Sequence, residues 1–234
     1  MSAMKFDEVM KELESHHNPL SVEGMKKGGI NPEKAFGVKI PVLRKMAKKI
    51  GKNHDLALEL WELGYRETMI LASMIDNPKE VTENQMEKWV SSPYFSYWEI
   101  VDQTCMNLFF ITSFATAKVM EWSTREEELV KRAAFALIAV MAWKDKEAQD
   151  SKFIIYFPII KREAIDERNN VKKAVNWALR QIGKRNLNLN FMACELAEEI
   201  MKIDSKSAKW IAKDALKELT SESVQTRLKK QKMN

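Results

Sequence analysis

The chain has 234 residues, 45% of them apolar, with 38 Lys and Arg against 33 Asp and Glu for a formal net charge of +5. That is enough apolar material for a continuous core, yet no run approaches the roughly 18 apolar residues of a membrane span. The 7 glycines and 6 prolines leave the stretch between Gly64 and Gly183 without a glycine, which argues against a β-sandwich or a Rossmann-type fold of this size.

Helical periodicity runs through the whole chain. Phe6, Val9, Met10 and Leu13 form one apolar stripe. Val42, Leu43, Met46 and Ile50 form another, with Pro41 suited to its first turn. Leu56, Ala57, Leu60, Trp61 and Leu63 follow, stopped by Gly64. A helix through Met69, Ile70, Ala72, Ser73 and Ile75 stops at Asn77-Pro78. Thr82 then reads as an N-cap with Gln85 three residues on, and Pro93 separates that helix from one through Trp98, Val101, Asp102, Cys105 and Phe109. A long helix is expected from Glu126 to Trp143, and further ones near Ala148–Lys161, Asn170–Arg185, Phe191–Ile203, Ser207–Leu219 and Val224–Lys230. The sum is at least ten helices of about 10–18 residues with short connections, the spacing of helix-pair solenoids. The expected fold is all-α, an α-α superhelix of HEAT-like antiparallel helix pairs forming a single domain over residues 1–234. A compact bundle is the structural alternative, disfavoured because so many helices cannot share one ordinary core.

The segment from Met1 to Leu13 is charged and amphipathic and has no signal-peptide core. Cys105 and Cys194 lie in apolar helical runs and read as small buried hydrophobes in a reducing compartment. The expected location is the cytoplasm. Charge is unevenly spread. From Lys26 to Lys52 nine basic residues, among them Lys27 and Arg44, face Glu33 alone. Acids dominate from Asp55 to Glu128, and bases return from Lys161 to Arg185 and in the tail at Arg227, Lys229, Lys230 and Lys232. Two basic clusters around an acidic middle suit a surface that grips a polyanion at both ends, although lysines also solvate ordinary helix faces.

His16, His17 and His54 lack metal-ligand spacing, and the chain has neither a phosphate-binding glycine loop nor a nucleophile elbow. No metal and no cofactor are expected. What chemistry there is must come from carboxylates, cations and aromatics on helices. Trp98 and Asp102 are four residues apart and share a helix face, and Asp is costly to bury unpaired. Arg132 begins a helix of small apolar residues, next to Lys131. Trp177 has Lys173 one turn before it and Arg180 one turn after it. The three groups recur at about 30–45 residues, so in a solenoid Trp98, Asp102, Arg132 and Trp177 could line one concave wall. Against this, most tryptophans at helical spacing are core, the reading adopted for Trp61, Trp89, Trp122, Trp143 and Trp210. Asp102 could equally be a structural partner of Arg132 or Lys131.

Four segments occurring in order are similar to the AlkD-type DNA alkylation repair proteins, the HEAT-like-repeat DNA glycosylases. They are Gly37-Val38-Lys39-Ile40-Pro41-Val42-Leu43-Arg44, Tyr97-Trp98-Glu99-Ile100-Val101-Asp102, Lys131-Arg132-Ala133-Ala134, and Lys172-Lys173-Ala174-Val175-Asn176-Trp177-Ala178-Leu179-Arg180. The resemblance implies removal of cationic N3- and N7-alkylated purines from duplex DNA, without flipping the base into a pocket, as a step of base excision repair. It implies Asp102 as the catalytic carboxylate, Trp98 and Trp177 as aromatic walls, and Arg132 on the DNA backbone. Lys27, Arg44, Lys131, Lys172, Lys173 and Arg180 are the further DNA-binding candidates. The implied partner is duplex DNA containing alkylated bases, with no membrane, no small-molecule cofactor and a monomeric state. One departure stands out: Met25-Lys26-Lys27-Gly28 lacks the aromatic residue that many relatives carry there. A non-catalytic DNA-binding module for damaged or branched structures, and a HEAT-like scaffold anchoring a peptide on Trp98 and Trp177, are the competing functions.

Overall fold

The computed structural model describes residues 4–30, 32 and 34–233. Glu33 and Lys232, counted among the charges above, lie outside the described side chains. The elements are α1 (Phe6–Ser15), α2 (Pro19–Lys27), α3 (Ile40–Ile50), α4 (His54–Glu62), α5 (Arg66–Ile75), α6 (Glu83–Val90), α7 (Trp98–Asn107), a 3-10 turn (Phe109–Ile111), α8 (Ala115–Trp122), α9 (Glu128–Lys144), α10 (Ser151–Ile154), α11 (Phe157–Glu163), α12 (Asn169–Gly183), α13 (Leu187–Met201), α14 (Lys206–Leu219) and α15 (Glu222–Met233). Among the described residues the sole β-type pairing is a bridge between Lys34 and Tyr65. None of the helices is long and apolar enough to cross a membrane.

Local chemistry sets the helix starts. The side chains of Asn18, Asn53, Thr82, Asn186 and Ser205 each accept a hydrogen bond from a first-turn backbone N–H, a cap worth about 1 kcal/mol. Asn186 moves the start of α13 to Leu187, ahead of the Phe191 expected from apolar spacing. The single helix expected over Ala148–Lys161 is instead α10 and α11. Pro158 explains the break, because it offers no N–H to the carbonyl of Ile154 and its ring crowds that carbonyl. Helices α2 and α8 were not expected from periodicity.

The contacts divide the chain into two compact units, residues 1–115 and 116–234. In the first, α5 is the hub and packs against α3, α4 and α7. Nearly every one of its side chains is buried. Trp61 of α4 and Trp89 of α6 stack with centroids 3.8 Å apart and planes 2° apart, with Phe109 tilted against Trp89. Gly37 adopts φ +80, and a Cβ there would fall 2.2 Å from the carbonyl oxygen of Asn18. No side chain fits at that point of the chain.

In the second unit α9 is buried from Val130 to Ala142 and packs along α12, which in turn packs on α13 and α14. Hydrogen bonds repeatedly join residues 38 apart: Arg132 to Asn170, Asn176 to Asp214, and Arg180 to Glu218. A constant offset means that α12 and α14 run parallel in register, each a structural repeat of the one before. Gly183 lets them close up, since a Cβ there would lie 2.8 Å from Leu219 and 2.9 Å from Ala193.

Candidate functional site

The first unit carries Trp98 and Asp102 one turn apart on α7, both half-buried. What fixes that helix is a buried charge network that sequence inspection missed. Arg66, the first residue of α5, donates to both carboxylate oxygens of Glu99 at 2.7 Å. Its third nitrogen donates to the carbonyl of Val38 and to Glu67, both at 3.0 Å. The Glu67 carboxylate accepts from the backbone N–H groups of Phe36, Gly37 and Val38 at 2.8, 2.9 and 3.0 Å. Burial works against the Arg66 charge, but Glu99 and Glu67 outweigh it and hold the guanidinium above its ordinary range. The neighbouring Tyr97 hydroxyl is pushed well up by burial.

This network ties the loop before α3 to the helix that bears Trp98. Of the two carboxylates around Trp98, Glu99 is committed to Arg66 and buried, whereas Asp102 reaches the surface in part. The signal available in the sequence was Arg66-Glu67 at the head of the otherwise apolar run Thr68–Ile75. The turn after α2 lies beside the indole, with a Cβ built on Gly29 coming 4.0 Å from Trp98 Nε1. Lys27, at the end of α2, and Arg44, on the outer face of α3, are exposed.

In the second unit the candidate cations divide. Lys131 is buried, with its Nζ 2.7 Å from Glu163 and 3.7 Å from Asp166. Arg132 is 6% exposed and donates from Nη1 to the carbonyl of Asn170, tying α9 to the first turn of α12. Arg180 pairs with Glu218 and lies 3.6 Å from Asp214. Arg132, which the resemblance implies on the DNA backbone, and Lys131 and Arg180, the further DNA-binding candidates, each also serve packing between helices. Lys173 is exposed, and Lys172 is half-buried over the ring of Trp210, 5.3 Å from its centroid.

Trp177 is half-buried on α12. With the Gln181 amide oxygen turned towards the donors, it accepts from Trp177 Nε1 at 3.1 Å and from Lys184 Nζ at 3.2 Å. Lys184 in turn binds Glu218 at 2.6 Å. The indole is thus held at its nitrogen edge. The expectation that the remaining tryptophans are core holds for Trp61, Trp89 and Trp122 and fails for Trp143 and Trp210, which are 47% and 40% exposed. Trp143 lies in the last turn of α9, just past its buried stretch, and Trp210 on the outward side of amphipathic α14, each beside a lysine.

Residues 9–219 match the model of a family described as DNA alkylation repair enzyme. An uncharacterized protein of Listeria innocua is 26% identical over 222 residues, covering 85% of this chain and 96% of that protein. One of Listeria monocytogenes is 25% identical with the same coverage. A solved structure described as a new family of proteins related to the HEAT-like repeat DNA glycosylases, with affinity for branched DNA structures, superposes with a TM-score of 0.74. It is 24% identical and the match covers 90% of this chain and 94% of that one, a likeness of fold.

Proposed function

For a chain that belongs to the DNA alkylation repair enzyme family, we propose the activity of a DNA glycosylase that excises cationic N3- and N7-alkylated purines from duplex DNA without base flipping. The observation that carries this reading is the division of labour on α7. Glu99 is sealed against Arg66, while Asp102, one turn on from the half-buried Trp98, keeps part of its surface.

An alkylated purine carries a positive charge, so its glycosidic bond is already weakened. As that bond breaks, positive charge moves to the sugar. A fixed carboxylate from Asp102 at about 4 Å, in an effective dielectric near 20, lowers the energy of that state by about 4 kcal/mol. This corresponds to roughly a thousandfold in rate. The electron-rich face of an indole attracts the cationic base, an effect of about 0.5–2 kcal/mol per ring, and does so without reading the base by hydrogen bonds. Trp98 takes this role in the first unit and Trp177 in the second. Lys27, Arg44, Lys172 and Lys173 would meet phosphates, giving steep salt dependence and little sequence preference.

Gly28, and Gly29 beside Trp98, favour a second reading. The aromatic residue that the resemblance leads one to expect after α2 is absent, and a protein of similar fold is described as having affinity for branched DNA. A chain that binds DNA without removing bases fits both facts. Release of free 7-methylguanine from methylated duplex DNA separates the two. The glycosylase reading requires release above the spontaneous rate, and none from an otherwise well-bound duplex would end it.

A further inference from the structure

An indole left in water at the surface of a helix needs a reason, since a Trp at helical spacing normally goes to the core. Trp210 is 40% exposed on α14. Lys172, from the parallel helix α12, stands over its ring at 5.3 Å. Lys206 and Lys213 lie one turn to either side on α14, and both are exposed. The acids near it are matched by other cations: Asp214 lies 3.6 Å from Arg180, and Asp204 binds Lys209 at 2.9 Å. The surface around the indole is therefore cationic.

We propose that Trp210 is a stacking post for an unpaired nucleobase, with Lys172, Lys173, Lys206 and Lys213 taking the adjoining phosphates. A flat π-face has nothing to offer a phosphate, but it suits the face of a base. Aromatic rings set among lysines are how proteins hold single-stranded nucleic acid. A duplex hides base faces in its stack, so the ligand is DNA with a single-stranded tail, gap or flap. Lys172 is five residues from Trp177, about 7.5 Å along the axis of α12. The post, through Lys172, and the aromatic residue already proposed to meet DNA thus share helix α12, about 140° apart around its axis. This inference rests on the nucleic-acid part of that reading and is independent of base removal.

The test compares a blunt duplex with the same duplex bearing a short single-stranded tail, by fluorescence anisotropy at fixed salt. The wild-type chain, Trp210→Ala and Trp210→Phe are each measured with both DNAs. The wild type should prefer the tailed DNA. Trp210→Ala should reduce that preference by roughly 5-fold or more, as expected for loss of one stacked base, while Trp210→Phe should keep most of it. Because both DNAs are read on one protein sample, the ratio does not depend on the fraction folded. An unchanged ratio in Trp210→Ala, or failure of the wild type to bind either DNA, overturns the inference. Release of 7-methylguanine, assayed in parallel, reports on the glycosylase reading alone.

Discussion

Arg66 and Glu99, 33 residues apart in the chain, meet through two parallel 2.7 Å hydrogen bonds, each side chain almost wholly buried. A buried pair of this kind is needed less for net stability than for what its loss leaves behind, an uncompensated charge in the interior. Glu99→Ala should therefore destabilise the chain by about 3–5 kcal/mol, measured by urea or guanidinium unfolding. A loss within experimental error would mean that Arg66 finds another partner and that α7 is not held by this network.

The residues involved show what could be seen in advance. Caps and stops such as Thr82, Pro41 and Gly64 act on their own neighbours, so they were legible from the sequence and the helices began and ended near them. Core positions for Trp61 and Trp89 followed from helical spacing, but not their stacking on one another, which depends on how α4 and α6 meet. The pairing of Lys131 and Arg180 was not legible, because their acids, Glu163 and Glu218, arrive from 32 and 38 residues away. Charge counted along the chain cannot separate a lysine facing water from one facing the next helix. Trp210 failed for a related reason: its helix has an apolar face, but the neighbouring helix decides how far round that face the cover extends.

Asp102→Asn keeps the shape, turns one acceptor oxygen into an amide donor and removes the charge. On the proposed chemistry it should cut single-turnover release of 7-methylguanine by two orders of magnitude or more, in line with the loss of about 3–4 kcal/mol of transition-state stabilisation. Duplex affinity should change little. Wild-type excision by this variant would remove Asp102 from the reaction.

Lys131 and Lys173 differ in what their charge faces, and their variants should differ in kind. Lys131→Ala leaves Glu163 only the exposed Arg162 as a partner, so it should lower stability by about 1 kcal/mol or somewhat more with its main effect in the melting curve. Lys173→Gln touches an exposed group, so stability should hold while DNA affinity falls and the slope of log affinity against log salt flattens by about 1. If Lys131→Ala instead weakened DNA binding at unchanged stability, its ion pair with Glu163 would have to open on the DNA.

Glu218 supplies a pH dependence whose sign can be worked out. Burial alone would raise its carboxyl, but Lys184 and Arg180 outweigh that and hold it below the usual glutamate range. A group depressed in the folded state contributes its full stabilisation above the unfolded value of about 4.3 and loses it as the pH falls through the folded value. Glu218→Gln should therefore be less stable than the wild type at neutral pH, and the gap should close below about pH 4. A gap that persisted into acid would show that the variant acts through packing and not through charge.

Trp177 decides between an interface and a core. Its indole is half-buried and anchored through Nε1 to Gln181, so one edge is fixed and the remainder is only partly covered. Truncating a fully buried Trp costs about 3–5 kcal/mol; Trp177→Ala should cost clearly less while lowering excision and duplex affinity. Gln181→Ala releases the ring edge without touching its exposed face, so it should lower excision by a smaller factor and leave duplex binding close to wild type. Thermal melting of both variants, run beside base release, is the check. A collapse of Trp177→Ala on the scale of a core truncation would assign the indole to packing, and the second unit would then have to hold its DNA through Trp210 and the lysines.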